Sequence, residues 1–210
     1  MKVYSKSIRI FLGISFEKNN LFTITDKQAH YLINVMRVKI GSEILVFNGF
    51  EGEYRVEIVN KSNNKITCQV REKVREQDDE PKLNLIFSLV KKDRIFNILE
   101  KCTELGVTCF YPILTERTQN FNYNIQKFES YVIEASEQTR RLSIPKIMPV
   151  QKINSLLNNW NKNEKILLCN ENDGIPLMKI SNNMKKSVSI LIGPEGGFSE
   201  NELKEFPKFD

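Results

Sequence analysis

One histidine, His30, and one tryptophan stand among 210 residues, and the four cysteines (Cys68, Cys102, Cys109, Cys169) nowhere form a C-x-x-C pair. A single imidazole leaves no room for a Ser-His-Asp triad or a multi-histidine metal centre. Scattered cysteines read as buried free thiols rather than zinc ligands, so no metal is expected. His30 is expected to pack beside a strand. No apolar run approaches the roughly 20 residues of a membrane helix. The N-terminus, "MKVYSKSIRIFLGISF", has neither the apolar block nor the small-residue cleavage site of a signal peptide, so a cytoplasmic protein is expected. Two common phosphate-cradling patterns, G-x-x-x-x-G-K-[ST] and G-x-G-x-x-G, are missing as well.

Hydrophobic residues make up 40% of the chain, enough to build cores and to exclude wholesale disorder. The net charge of +5 is unevenly spread: residues 1–72 carry 11 Lys and Arg against 7 Asp and Glu, whereas residues 73–210 are nearly balanced at 20 against 19. By charge alone, the first part is the better candidate to approach nucleic acid.

The pattern of apolar residues divides the chain. Residues 8–13, 21–25, 43–48, 54–59 and 65–70 are short and rich in Ile, Val, Phe and Tyr, as strands are. Asn48-Gly49 and "KSNNK" (61–65) supply hairpin-type turns. One helix is expected at 26–37, with Thr25 and Gln28 at capping-box spacing. Antiparallel strands with one helix suggest a small β-barrel over residues 1–72. The stretch "REKVREQDDEPK" (71–82) is nearly all charge, so residues 73–82 read as a linker.

From residue 83 the period changes. "LNLIFSLV" (83–90) is a near-continuous apolar strand of the kind buried on both faces. In 92–106, Ile95, Ile98, Leu99, Cys102 and Leu105 form a helical stripe that Gly106 ends. Strands are expected at 108–114, 165–170 and 187–192, and helices at 124–141 and 153–160. Such alternation means a parallel α/β sheet over 83–210.

In a parallel sheet, ligands gather beyond the C-terminal ends of the strands. "SILIGPEGGFSENEL" (189–203) lies at such an end. Pro194 stiffens the turn, while Gly196 and Gly197 expose backbone to a ligand. Ser199 and Glu202 have capping-box spacing for a following helix. The loop is either a plain strand-to-helix turn or a ligand cradle. Glu195 repels anions and suits hydroxyls or a cation, a description that S-adenosylmethionine meets.

"LIGPEGGFSENEL" closely resembles the signature of the RsmE family, the 16S rRNA (uridine N3) methyltransferases of the SPOUT superfamily. "KDRIFNILEKCTELGV" (92–107), "YPILTERTQ" (111–119) and "EASEQTRRLSIPKI" (134–147) resemble successive family blocks in order. "HYLINVMRVKIGSEILVFNG" (30–49), after "IRIFL" (8–12), resembles its N-terminal PUA-like barrel. The resemblance implies a PUA-like RNA-binding domain at 1–72 and a SPOUT methyltransferase domain at 83–210. It also implies S-adenosylmethionine in a trefoil knot, a homodimer, and 16S rRNA in the small ribosomal subunit as substrate.

It further implies site residues. Gly193, Pro194, Glu195, Gly196 and Gly197 would hold the cofactor, with Leu168, Cys169 and Asn170 on the adenosine side. Arg117, just past a strand, and Arg140, at a helix end, would hold phosphate or orient the base. Arg9, Arg37, Lys39 and Arg55 would contact RNA, a solvated surface being the alternative for each. Family members continue past this helix into a segment that threads the knot, whereas this chain ends at "KEFPKFD". The expectation is therefore double: a longer source protein, or a truncated RNA-binding relative that has lost the cofactor knot.

Overall fold

The computed structural model describes residues 7–18, 20–118, 123–169, 175, 176, 179 and 187–206. They fall into two compact units, one drawn from Met1–Asp79 with Ser136–Ser143, the other from Glu80–Ala135 with Ile144–Asp210.

The first unit is a five-stranded sheet in the order β1-β3-β4-β5-β2, built from β1 (Arg9–Phe11), β2 (Leu21–Ile24), β3 (Glu43–Phe47), β4 (Glu53–Lys61) and β5 (Ile66–Arg75). Alternate residues of every strand, among them Ile10, Phe22, Val46, Val56, Ile58 and Ile66, converge on one core. The sheet is not purely antiparallel as expected, because β1 runs parallel to β3. The Asn48 turn forms as its sequence suggests: the Asn48 side-chain oxygen accepts from the Phe50 and Glu51 amides at 3.1 and 2.8 Å.

Two local expectations give way. Strand β5 runs on to Arg75, through a charged stretch whose residues from 73 onward read as linker in the sequence. Its charges are paired across the ladder, Arg71 with Glu57 at 2.7 Å and Glu72 with Arg55 at 3.0 Å, so the strand needs no apolar face there. The helix at 26–37 is α1 (Asp26–His30) continued by a wider π-type turn at Tyr31–Val35. The Thr25 and Gln28 capping box is absent. Asp26 has φ +55°, Thr25 Oγ1 bonds the Asp26 carboxylate, and Gln28 reaches instead to the Phe11 carbonyl. His30 is exposed rather than packed.

The second unit is a parallel sheet in the order β10-β11-β6-β7-β8, with β9 also beside β7. Its strands are β6 (Lys82–Ser88), β7 (Cys109–Leu114), β8 (Lys146–Ile147), β9 (Gln151–Lys152), β10 (Ile166–Cys169) and β11 (Ser187–Ile192). Successive residues of β6 serve opposite faces. Leu85 and Phe87 pack with Ile95 and Leu99 of α2 (Lys92–Glu104) and with Phe128 and Val132 of α3 (Ile125–Thr139). Ile86 packs with Leu156 and Leu157 of α4 (Ile153–Asn158). Burying each such side chain contributes about 2 kcal/mol, which is why a near-continuous apolar strand belongs here. Leu105 leaves the expected stripe and is 80% exposed, because α2 ends one residue before it. Of the cysteines, Cys68 and Cys109 are buried and Cys102 half-buried, but Cys169, expected inside, is exposed.

Candidate active site

The chain after β11 turns sharply. The Gly197 amide donates to the Pro194 carbonyl at 2.8 Å, and Gly197 takes φ +68°, a conformation that suits glycine. A Cβ on Gly193 would lie 2.8 Å from the Phe198 ring, so the loop has no room for a side chain at its root. It then enters α5 (Glu200–Glu205) through the expected capping box. Ser199 Oγ accepts from the Glu202 amide at 3.1 Å, and the Glu202 carboxylate accepts from the Ser199 amide at 2.9 Å.

Three strand ends meet here. The loop after β6 (Leu89, Val90, Lys91), Arg117 after β7, and Pro194, Glu195 and Gly196 after β11 line a cleft of about 220 Å³. β6 and β11 are neighbours although far apart in sequence, so the cleft opens beside the place where the strand order changes direction. Arg117 Nη1 donates to the Gly196 carbonyl at 2.5 Å. Glu195 is ion-paired with Arg94 of α2, a residue that sequence reasoning missed. Its position one turn into a helix gave no sign of a partner 101 residues away. A hydroxyl cluster fixes the Arg117 loop: Thr118 Oγ1 lies 2.7 Å from Ser88 Oγ and 2.8 Å from Thr115 Oγ1, and accepts from the Thr115 amide.

The other expected residues lie as follows. Leu168 packs into the core beside α4, and Cys169 is exposed at the end of β10. Asn170 lies outside the described residues. Arg140 belongs to the first unit; it has φ +60°, and its carbonyl accepts from Arg75 at 2.8 Å. Arg37 and Lys39 are exposed and make no ion pair among the described residues. Arg55 is engaged by Glu43 and Glu72. Arg9 turns its side chain inward. Its side chain is 5% exposed, paired with Glu53 at 2.5 Å and stacked over Phe47, and it donates to the carbonyls of Ser136 and Arg141. Its donors are spent inside the unit, contrary to the RNA contact expected of it. No cluster of metal-binding side chains occurs among the described residues.

Residues 78–210 match the family model of an RNA methyltransferase domain, and residues 24–71 that of an RNA methyltransferase PUA domain. The chain belongs to the RsmE family of RNA methyltransferases. It is 29% identical over 201 residues to the ribosomal RNA small subunit methyltransferase E of Rickettsia conorii, covering 93% of this chain and 81% of that protein. To the protein of the same name from Bacillus subtilis it is 28% identical over 208 residues, covering 92% and 81%. The fold matches a crystal structure of the Neisseria gonorrhoeae ribosomal RNA small subunit methyltransferase E bound to S-adenosyl methionine. There the TM-score is 0.85 at 22% identity, over 97% of this chain and 86% of that one. The two units are thus a PUA-like domain and an α/β methyltransferase domain.

Proposed function

We infer that this RsmE-family protein transfers a methyl group from S-adenosylmethionine to N3 of a uridine in 16S rRNA. In this reading it acts as a homodimer on the small ribosomal subunit in the cytoplasm, with a SPOUT-type knotted cofactor site. The observation that carries the reading is the cleft at the C-terminal ends of β6, β7 and β11, closed on one side by the Gly-Pro-Glu-Gly-Gly turn.

The residues present fit the cofactor. The turn offers bare backbone at Gly196, and Glu195 offers carboxylate oxygens for hydroxyls, its charge balanced by Arg94. S-adenosylmethionine, when bound, supplies a methyl group on a sulfonium centre. The protein's part is to position and to manage charge. Leu89 and Val90 give the cleft an apolar wall. Cys169, at the end of β10, is available to the adenosine side.

Uridine N3 becomes a nucleophile only when its imide proton leaves, and the resulting charge spreads over O2 and O4. Arg117 holds a fixed guanidinium at the cleft with donors to spare beyond Gly196, so it stabilises that charge or an adjacent phosphate. Arg37, Lys39 and Arg140 contribute phosphate contacts.

The test uses small subunits whose 16S rRNA lacks the modification, incubated with the protein and methyl-labelled S-adenosylmethionine. One 3-methyluridine in 16S rRNA is the expected product, mapped by mass spectrometry. Label on another base, or none from protein that binds S-adenosylhomocysteine in a calorimetric titration, would overturn the substrate assignment.

A further inference from the structure

Glu202 is a carboxylate only 3% exposed, with no cation paired to it among the described residues. A lone buried charge of this kind is costly unless each of its oxygens is satisfied. Both are. Oε2 accepts from the Ser199 amide at 2.9 Å, which a helix cap explains. Oε1 accepts from the Glu116 amide at 2.9 Å, across 86 residues, and a helix cap does not require that bond.

Glu116 and Arg117 are adjacent, and Arg117 donates to the Gly196 carbonyl. A closed circuit therefore runs from α5 through Glu202 to the loop after β7, through Arg117 to the Gly-Pro-Glu-Gly-Gly turn, and along the chain through Ser199 back to α5. The far end of the same loop is held by Thr118 on Ser88. Arg117 sits between two fixed points.

We propose that Glu202 is a positioning residue for methyl transfer: its carboxylate joins the loop after β7 to the cofactor turn and so sets where the Arg117 guanidinium stands in the cleft. This rests on the cofactor reading of that cleft. The chemistry explains the residue type. Two backbone N–H groups, from different loops, each demand an acceptor. A carboxylate offers one on each arm, whereas an amide replaces one acceptor with a donor and must break a bond. Charge-assisted bonds of this kind are the strong ones, so the side chain can hold two loops in register.

The test is a double-mutant cycle of Glu202→Gln and Arg117→Ala, read by S-adenosylhomocysteine affinity and by kcat and KM for small-subunit methylation. Amide exchange at Glu116 is followed in the ligand-free protein. In an otherwise native chain, E202Q is expected to lower kcat/KM for small-subunit methylation by about tenfold or more. In the R117A background the same change should cost little, because the residue it positions is gone. Glu116 amide exchange should quicken in E202Q, while Leu99 in α2 keeps its protection. Additive effects of the two substitutions, or an unchanged Glu116 amide in E202Q, would overturn the proposal. The exchange measurement needs no ligand. Faster Glu116 exchange in a protein whose native form binds no S-adenosylhomocysteine would sink the cofactor reading while leaving the loop linkage standing, and the catalytic part of the proposal would fall with that reading.

Discussion

Arg9 illustrates how much a residue's role depends on where its chain neighbours are. As a sequence letter it is one more cation in a basic stretch. In the structure its guanidinium is sandwiched between the Phe47 ring, 3.7 Å away, and backbone carbonyls, with Glu53 as counter-charge. Burial pushes its pKa down and Glu53 acts against that, and the group stays a cation because the guanidinium is so basic. Such a pair adds little over a well-packed apolar replacement, but breaking it strands a charge. Glu53→Ala should therefore lower stability by about 3 kcal/mol in urea unfolding, more than a typical surface substitution. The Arg9→Met, Glu53→Leu double replacement should recover much of that deficit. Cys68 is the opposite case. Burial raises its thiol to about 12, so it stays protonated and inert at neutral pH.

Among the elements, the Asn48–Gly52 turn between β3 and β4 carries a pH dependence. Burial alone would raise the Glu51 pKa. The Ser15 hydroxyl, the Phe16 amide and the Asn48 side chain donate to its carboxylate and outweigh burial, leaving the pKa below the ordinary 4.5. A carboxylate depressed in the folded state contributes stability above its unfolded pKa and loses it as pH falls through the folded value. The stability difference between the native chain and Glu51→Gln should therefore be full above about pH 5 and shrink below 4.5. Denaturant unfolding across that range checks it; a difference that grew on acidification would contradict the hydrogen-bond account. Strand β5 teaches a related lesson. Its charged end was legible as polar but not as strand, because what satisfies Arg71 and Glu72 is the neighbouring β4, which no local pattern names.

For the whole molecule, the proposed approach to RNA is argued from the first unit's charge excess and from what the fold leaves accessible. Arg9 is buried and Arg55 is paired, so Arg37 and Lys39 remain as the exposed cations of the four expected in that unit. Removing one cation that neutralises a phosphate should lower the steepness of the salt dependence by about 0.7 to 0.9. Replacing both residues by Ala should reduce the slope of log affinity for 16S rRNA against log salt by about 1.5, measured by filter binding. Arg9→Met should leave that slope unchanged if the protein remains folded.

How much was legible follows the range of the interaction. The sequence by itself determined the change of period along the chain, the apolar strand expected at 83–90 and found at Lys82–Ser88, the helix stripe at 95 and 99, and the capping box at 199–202. All rest on periodicity or on partners within four residues. The Gly-Pro-Glu-Gly-Gly turn was legible because proline and glycine restrict or free the backbone locally. Only the tertiary structure decided which residues meet. It placed Arg94 against Glu195, the Arg117 guanidinium on Gly196, and Glu202 on the amide of Glu116. It also turned Arg9 inward and left Leu105 outside. The three contacts at the cleft join residues roughly 80 to 100 positions apart. They arise from the order in which strands are laid side by side, and no spacing in the chain encodes that order.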